Sequence, residues 1–121
     1  MPVEQAWPEV VSKLILLTEN GKLKWSADPR LNKLREIVVG RAFAANFHER
    51  TIAIYEMRYK SYRDEDTWDW DSGLVLEFID EDGNSEWQIP SSPNLWKLLD
   101  VVKFQVAGVN KILKELLAEP S

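Results

Sequence analysis

The order of two hydrophobic patterns along the chain is the feature that most constrains its fold. Apolar residues recur at helical spacing near both ends, whereas the middle of the chain contains segments that alternate polar and apolar residues. Strands joined by short turns must pair antiparallel. Because the strands are grouped between terminal helices, the pattern indicates an α+β fold. We therefore expect an antiparallel sheet of four to five strands flanked by an N-terminal helix and a long C-terminal helix.

The two terminal helices have recognisable limits. The first is predicted from about Pro8 to Glu19, because proline suits a first helical turn and Asn20-Gly21 supplies a left-handed cap. The last is predicted from about Pro93, with Ser92 as its N-cap, to Leu117. About 25 helical residues would span ~37 Å, so this helix either crosses the whole sheet or packs partly on another chain as a homodimer contact. Its apolar stripe comprises Leu95, Leu98, Leu99, Val102, Val106, Val109, Leu113 and Leu116.

Five segments have the composition of strands, and polar turns separate them. A polar tip at residues 48–50 and a turn at 81–84 mark two hairpins, residues 63–71 are predicted to be a loop, and residues 30–36 fit either a loop or a helical turn. The predicted strands are Lys22–Ser26, Val38–Phe47, Thr51–Tyr62, Leu74–Ile79 and Glu86–Ile89.

Composition sets the class of protein. The length of 121 residues fits one globular domain over residues 1–121, and 45% apolar with 29% charged residues argues against disorder. The chain has no cysteine, which fits a reducing compartment, and its first residues lack the pattern of a signal peptide. No apolar run approaches the ~20 residues that span a bilayer. We therefore expect a cytoplasmic protein without a membrane partner.

Several kinds of catalytic site are excluded by residue type. Without cysteine there is no thiolate chemistry, and a single histidine, His48, cannot supply the three or four ligands of a His/Cys zinc site. A Ser-His-Asp triad would have to use His48, which lies at a predicted hairpin tip. The five glycines are widely spaced, so phosphate-binding glycine loops are absent. We expect no cofactor, and only carboxylate-based chemistry remains open to an enzyme.

Charge is divided unequally along the chain. Residues 41–63 contain five basic residues and two acids, so a basic segment precedes an acidic one. The simplest interpretation is that opposite charges pair across neighbouring strands and keep the surface soluble. The next segment, residues 64–86, lacks Lys and Arg and contains Asp64, Glu65, Asp66, Asp69, Asp71, Glu77, Asp80, Glu81, Asp82 and Glu86.

The tryptophans in the acidic segment suggest a function. Trp25, Trp87 and Trp96 fall in regular elements and are expected in the core, whereas Trp68 and Trp70 are expected to be exposed unless their loop folds back onto the core. Exposed tryptophan is typical of protein-binding hot spots, and acids around it would steer a basic partner. The predicted partner-binding residues are Asp64, Asp66, Trp68, Asp69, Trp70 and Asp71.

The sequence thus favours a non-enzymatic protein-interaction module with an unknown protein partner, of an adaptor, regulatory or immunity-like kind. One alternative is a divalent cation bound by Asp64, Asp66, Asp69 and Asp71, although their spacing does not match an EF-hand. A carboxylate-based hydrolase is a related alternative. Nucleic-acid binding by the basic hairpin is disfavoured by the nearby acids. It would use Arg41, Arg58, Lys60 and Arg63 with Tyr55, Tyr59 and Tyr62.

Overall fold

A computed structural model describes residues 3–28 and 38–120 of the chain and confirms the α+β class. Its five strands form one antiparallel sheet, in which each strand pairs with its neighbour in the sequence. The segment of residues 30–36, with its two interpretations, lies outside the described residues. The elements are α1 (Val3–Glu19), β1 (Trp25–Ala27), β2 (Val38–Phe47), β3 (Arg50–Tyr62), β4 (Trp68–Ile79), β5 (Ser85–Gln88), α2 (Leu95–Ala107) and α3 (Val109–Ala118).

The main core lies between the sheet and helices α1 and α2. Strand side chains alternate between the two faces, so Ile54 on β3 and its partner Leu76 on β4 both point toward the helices. Both are fully buried. The same cluster includes, from the helices, Val11, Leu14, Leu95, Leu98, Leu99 and Val102.

A second buried cluster occupies the opposite face of the sheet. It contains Tyr55 and Val75, which are paired across β3 and β4, together with Val38, Ala53 and Ile79. The carboxylate of Glu77, which is 4% exposed, accepts a hydrogen bond of 3.0 Å from the Tyr55 hydroxyl. Burial and the neighbouring carboxylate raise the pKa of Tyr55 above its usual value, so Tyr55 stays protonated and remains a donor to Glu77.

Gln105, near the end of α2, joins three elements with one side chain. Its Nε2 donates to the backbone carbonyls of Thr18 (3.0 Å) and Leu23 (2.8 Å), and its Oε1 accepts from the backbone N–H of Trp25 at 2.7 Å. The indole of Trp25 in turn donates to the Thr18 hydroxyl at 3.0 Å. At the other end of the helix pair, Asn94 donates to the carbonyl of Pro8 at 3.0 Å. These bonds hold α1 and α2 side by side in a parallel orientation.

The ends of the helices differ from the sequence-based expectations. α1 begins at Val3, so Pro8 lies inside it, where its missing N–H removes one hydrogen bond to the carbonyl of residue 4. α2 begins at Leu95 with Asn94 as N-cap, which makes the prediction of Ser92 as N-cap wrong. The prediction of one long C-terminal helix is also wrong, because Gly108 adopts a left-handed conformation (φ 65°) and separates α2 from α3.

The break at Gly108 moves the second half of the predicted apolar stripe away from the core. Leu95, Leu98, Leu99 and Val102 of α2 are buried, but α3 has no buried residue. The apolar side of α3 is therefore open to solvent, with Leu117 87% exposed. The exposed apolar residues of α3 are Ile112, Leu113, Leu116 and Leu117.

The tryptophans expected in the core divide into two groups. Trp25 is buried, as predicted. The expectation is wrong for Trp87 and Trp96, which are about half exposed. Trp87 lies on β5 at the margin of the sheet, where its ring packs against Trp7 and Phe78, with centroids 5.2 Å and 6.5 Å away. Trp96 lies on α2 beside the buried stripe rather than within it.

The strand limits agree closely with the pattern at β2 and less closely elsewhere. β2 has the predicted limits, β1 is shifted toward Ala27, and β4 begins at Trp68 rather than Leu74. The earlier start of β4 places residues 68–71 of the predicted loop, which covers residues 63–71, in the strand. No helix within the described residues is long and apolar enough to cross a lipid bilayer.

The Gln105 bonds generate a prediction about stability. Gln105→Ala leaves one backbone N–H and two carbonyls without this partner, which should lower the free energy of unfolding by about 2–4 kcal/mol. Gln105→Glu keeps the acceptor but sets a carboxylate oxygen against the two carbonyl oxygens, so we expect a loss at least as large. Lys103→Ala, an exposed change on the same helix, should be within about 0.5 kcal/mol of wild type. Urea denaturation measures all three, and equal midpoints for Gln105→Ala and Lys103→Ala would contradict the role of Gln105.

Candidate functional site

The β3–β4 hairpin continues beyond the part of the sheet that its neighbours cover. Within residues 3–28 and 38–120, β5 pairs with β4 over Glu77–Ile79, and the pairing of β2 with β3 extends to Val38 opposite Met57. Among the described residues, the strands beyond that point pair only with each other. We call this two-stranded extension, residues 58–72, the hairpin arm.

Register places different chemistry on the two faces of the hairpin arm. Residues directly opposite each other in an antiparallel pair point to the same side, and side chains alternate along each strand. The face that continues the helix side of the sheet carries three pairs, Arg58 with Ser72, Lys60 with Trp70 and Tyr62 with Trp68; we call it the tryptophan face. The opposite face, which we call the acidic face, carries Tyr59 with Asp71 and Ser61 with Asp69.

The tryptophan face is an ordered array of two rings and two cations. The rings of Trp68 and Trp70 meet edge to face, with centroids 5.2 Å apart and planes at 83°. The Arg58 guanidinium carbon lies 4.7 Å from the Trp70 ring centroid, and the Lys60 ammonium lies 4.5 Å from that of Trp68. Trp70 is 52% exposed and Trp68 39% exposed. Cation–π contacts therefore fix the rings while leaving much of their surface accessible.

Local hydrogen bonds and an ion pair use several of the acidic groups. Asp69 pairs with Arg63 at 2.5 Å, an exposed salt bridge whose contribution to stability is small. The Asp71 carboxylate accepts the backbone N–H of its neighbour Ser72 at 2.8 Å. Both acids thus have partners on or near the arm itself.

Asp64 organises the tip of the hairpin. Its Oδ1 accepts the backbone N–H groups of Asp66 and Thr67, each at 2.9 Å, while the N–H of Arg63 donates to the carbonyl of Thr67 at 2.9 Å. The hydrogen bonds from Asp66 and Thr67 stabilise the ionised carboxylate and so hold the pKa of Asp64 below its usual value. Asp64 therefore has a structural task in the turn, as the short side chain of aspartate often does.

The six predicted binding residues do not form a single surface. Trp68 and Trp70 are brought into contact on the tryptophan face, Asp69 and Asp71 project from the other side, and Asp64 and Asp66 lie at the tip. The expectation that all six lie on a loop is wrong for residues 68–71, because β4 already begins at Trp68. The alternative in which the loop folds back to bury the tryptophans also fails, since both rings are exposed.

Sequence reasoning missed that Arg58 and Lys60 belong with the tryptophans. In the sequence they alternate with the tyrosines of the same strand, but only Tyr62 shares their face of the arm, whereas Tyr55 and Tyr59 point the other way. The signal available was the even spacing of residues 58, 60 and 62, which could have been matched with 68 and 70 once the turn was fixed. The turn itself depends on Asp64, whose role is not visible in the pattern.

The structure also shows where the residues of the alternative histidine and carboxylate sites lie. His48 lies in the two-residue turn between β2 and β3 with φ 55°, and its ring contacts Phe47 edge to face. Within residues 3–28 and 38–120, no group of three or more His, Asp or Glu side chains is arranged to hold a metal ion. In the turn between β4 and β5, the Asp80 carboxylate accepts the backbone N–H groups of Asp82 and Asn84 at 2.9 Å.

Comparison of the chain with protein-family models, with curated proteins and with solved structures finds no match.

The tip geometry predicts a pH-dependent local order. Because the folded pKa of Asp64 is depressed, its hydrogen bonds are fully present above the usual aspartate range and are lost as the pH falls through the depressed value. Asp64→Ala should remove the same bonds at neutral pH and accelerate amide hydrogen exchange at Asp66 and Thr67. Glu65→Ala, at a neighbouring exposed tip carboxylate, is the matched control. Equal exchange rates in the two variants would contradict the assignment.

Proposed function

We propose that the chain is a single-domain, non-enzymatic protein-interaction module that binds a protein partner through the tryptophan face of the hairpin arm. The observation that supports this most is the exposed pair of Trp68 and Trp70, held by contacts to Arg58 and Lys60. Tryptophan and arginine are enriched among the few residues that dominate binding energy. An adaptor, a regulator or an immunity-like inhibitor would each use such a surface.

The order of the array favours binding. A side chain that is mobile in the free protein must lose rotamer freedom when a partner fixes it, and this lowers affinity. The edge-to-face contact of the rings and the cation above each ring restrict that freedom before binding. The arm also projects beyond the paired part of the sheet, so a partner can reach the rings without displacing other described elements.

The two faces of the arm carry side chains of opposite charge and therefore suit different groups of the partner. Arg58 and Lys60 on the tryptophan face suit acidic or aromatic groups, whereas Asp69 and Asp71 on the acidic face attract basic groups. The partner predicted from sequence as basic would thus meet the acids from the side or the tip rather than over the tryptophans. We place this activity in the cytoplasm, which the absence of cysteine supports.

The proposal predicts a selective loss of partner capture. Immobilised wild-type protein should retain a partner from native lysate, and Trp68→Ala combined with Trp70→Ala should weaken that capture about tenfold or more, as loss of hot-spot tryptophans does. The matched control is Trp96→Ala, which removes a tryptophan of similar exposure from α2. Thermal unfolding of each variant checks that the fold is kept. Unchanged capture by the double variant would overturn the proposal.

We also propose that α3 associates with a second copy of the chain. Four apolar side chains of this helix are exposed together, and contiguous exposed apolar surface on a soluble domain commonly marks an interface. Leu113→Ser with Leu116→Ser should therefore shift the protein toward monomer in sedimentation velocity, while Lys111→Ser on the same helix should not. Wild-type protein that stays monomeric at its highest soluble concentration would contradict this interface.

A further inference from the structure

Along the hairpin arm, no strand of the described residues pairs with the outer edge of β4. On that side β5 reaches only as far as the carbonyl of Leu76, which accepts the N–H of Ile89 at 2.7 Å. From Trp68 to Gly73, no strand within residues 3–28 and 38–120 pairs with β4 on its outer side. An open edge of this kind presents backbone donors and acceptors to any extended chain.

The direction of the backbone groups follows from three hydrogen bonds. The Leu76 carbonyl points outward to Ile89, and at the other end the carbonyl of Thr67 points inward to Arg63. Backbone groups alternate sides along an antiparallel strand, so the N–H and C=O groups of even-numbered β4 residues point outward, away from β3. The N–H of Ser72 agrees, since it bonds the Asp71 carboxylate rather than β3. Within the arm, the residues whose backbone N–H and C=O groups point outward are Trp68, Trp70 and Ser72.

The side chains beside this edge select an occupant. Pairing with β4 of a second copy would bring Asp71, and Asp69 with its partner Arg63, close to the same residues of the other copy, and the like charges of Asp71 on neighbouring strands are destabilising. A strand with Lys or Arg at every second position would instead face these acids with opposite charge. Its intervening residues would lie beside Trp68 and Trp70, where apolar side chains bury the most surface.

We propose that the partner binds by strand addition, as an extended segment of alternating basic and apolar residues that pairs with the outer edge of β4 along the hairpin arm. This rests on the proposed function and specifies how the same arm recognises its partner. Main-chain hydrogen bonds to Trp68, Trp70 and Ser72 hold the segment, and the two faces of the arm set which side chains it accepts. The Asp71 carboxylate releases the Ser72 N–H to the incoming strand.

The test uses a synthetic octapeptide of alternating lysine and valine with blocked ends, titrated into wild-type protein and followed by amide NMR shifts. We expect saturable shifts centred on Trp68, Trp70 and Ser72. A peptide of the same composition with its lysines and valines in two blocks should bind about tenfold more weakly. The alternating peptide with N-methyl groups on the backbone nitrogens that face β4 should also bind about tenfold more weakly, because those hydrogen bonds are lost. Absence of saturable shifts with the alternating peptide, or equal affinity for all three peptides, would overturn strand addition.

Two variants of one residue test the edge itself. Ser72→Pro removes an outward N–H that β3 does not use, and Ser72→Ala keeps it. Peptide binding should be lost with the first and kept with the second; equal binding would overturn the proposal. If Ser72→Pro does not fold, the N-methylated peptide decides the question on wild-type protein. If the tryptophan double variant loses partner capture while Ser72→Pro retains it, strand addition is wrong and the proposed function stands. Dimers that form through β4 would contradict the choice of occupant.

Discussion

The pairing of β3 with β4 is the constraint on which the rest of the structure depends. The two strands hold one register over twelve consecutive pairs, from Thr51 opposite Ile79 to Tyr62 opposite Trp68. At one end this register directs Ile54 and Leu76 into the core, and at the other it gathers the tryptophans with two cations. A shift of one residue would reverse the faces, exposing the core side chains. The buried half therefore fixes the geometry of the exposed half.

Alternation also explains what becomes of the acidic segment. Its charges do not form one surface, because strand geometry sends Asp69 and Asp71 away from the tryptophans while Asp64 and Asp80 accept backbone hydrogen bonds in turns. Glu77 is buried beside Tyr55. The acids that cluster in the sequence therefore act at separate places in the structure. The basic residues of β3 contribute as much to the candidate site as the acids do.

Patterns of local spacing predicted the fold class and the limits of β2, because alternation and helical periodicity are written within each element. Features that depend on distant contacts were not predictable in this way. Gln105 joins α2 to residues eighty or more positions earlier, and no local pattern marks it. Gly108 was a visible signal for a helix end, but the apolar stripe continues past it. For the site, the exposure of Trp70 was predicted from the sequence. Its contact with Arg58 was not, because that contact depends on the register of β3 with β4.

The arm keeps Trp68 and Trp70 on one face with Arg58 and Lys60, and it keeps Asp69 and Asp71 on the other. Proton NMR of the side chains tests it most directly, since a methylene held over an aromatic ring is shifted upfield. We expect upfield shifts for the Lys60 ε-methylene and NOE contacts from it to both indole rings. Ordinary shifts for Lys60, with NOE contacts from Asp69 or Asp71 to the indoles instead, would contradict it.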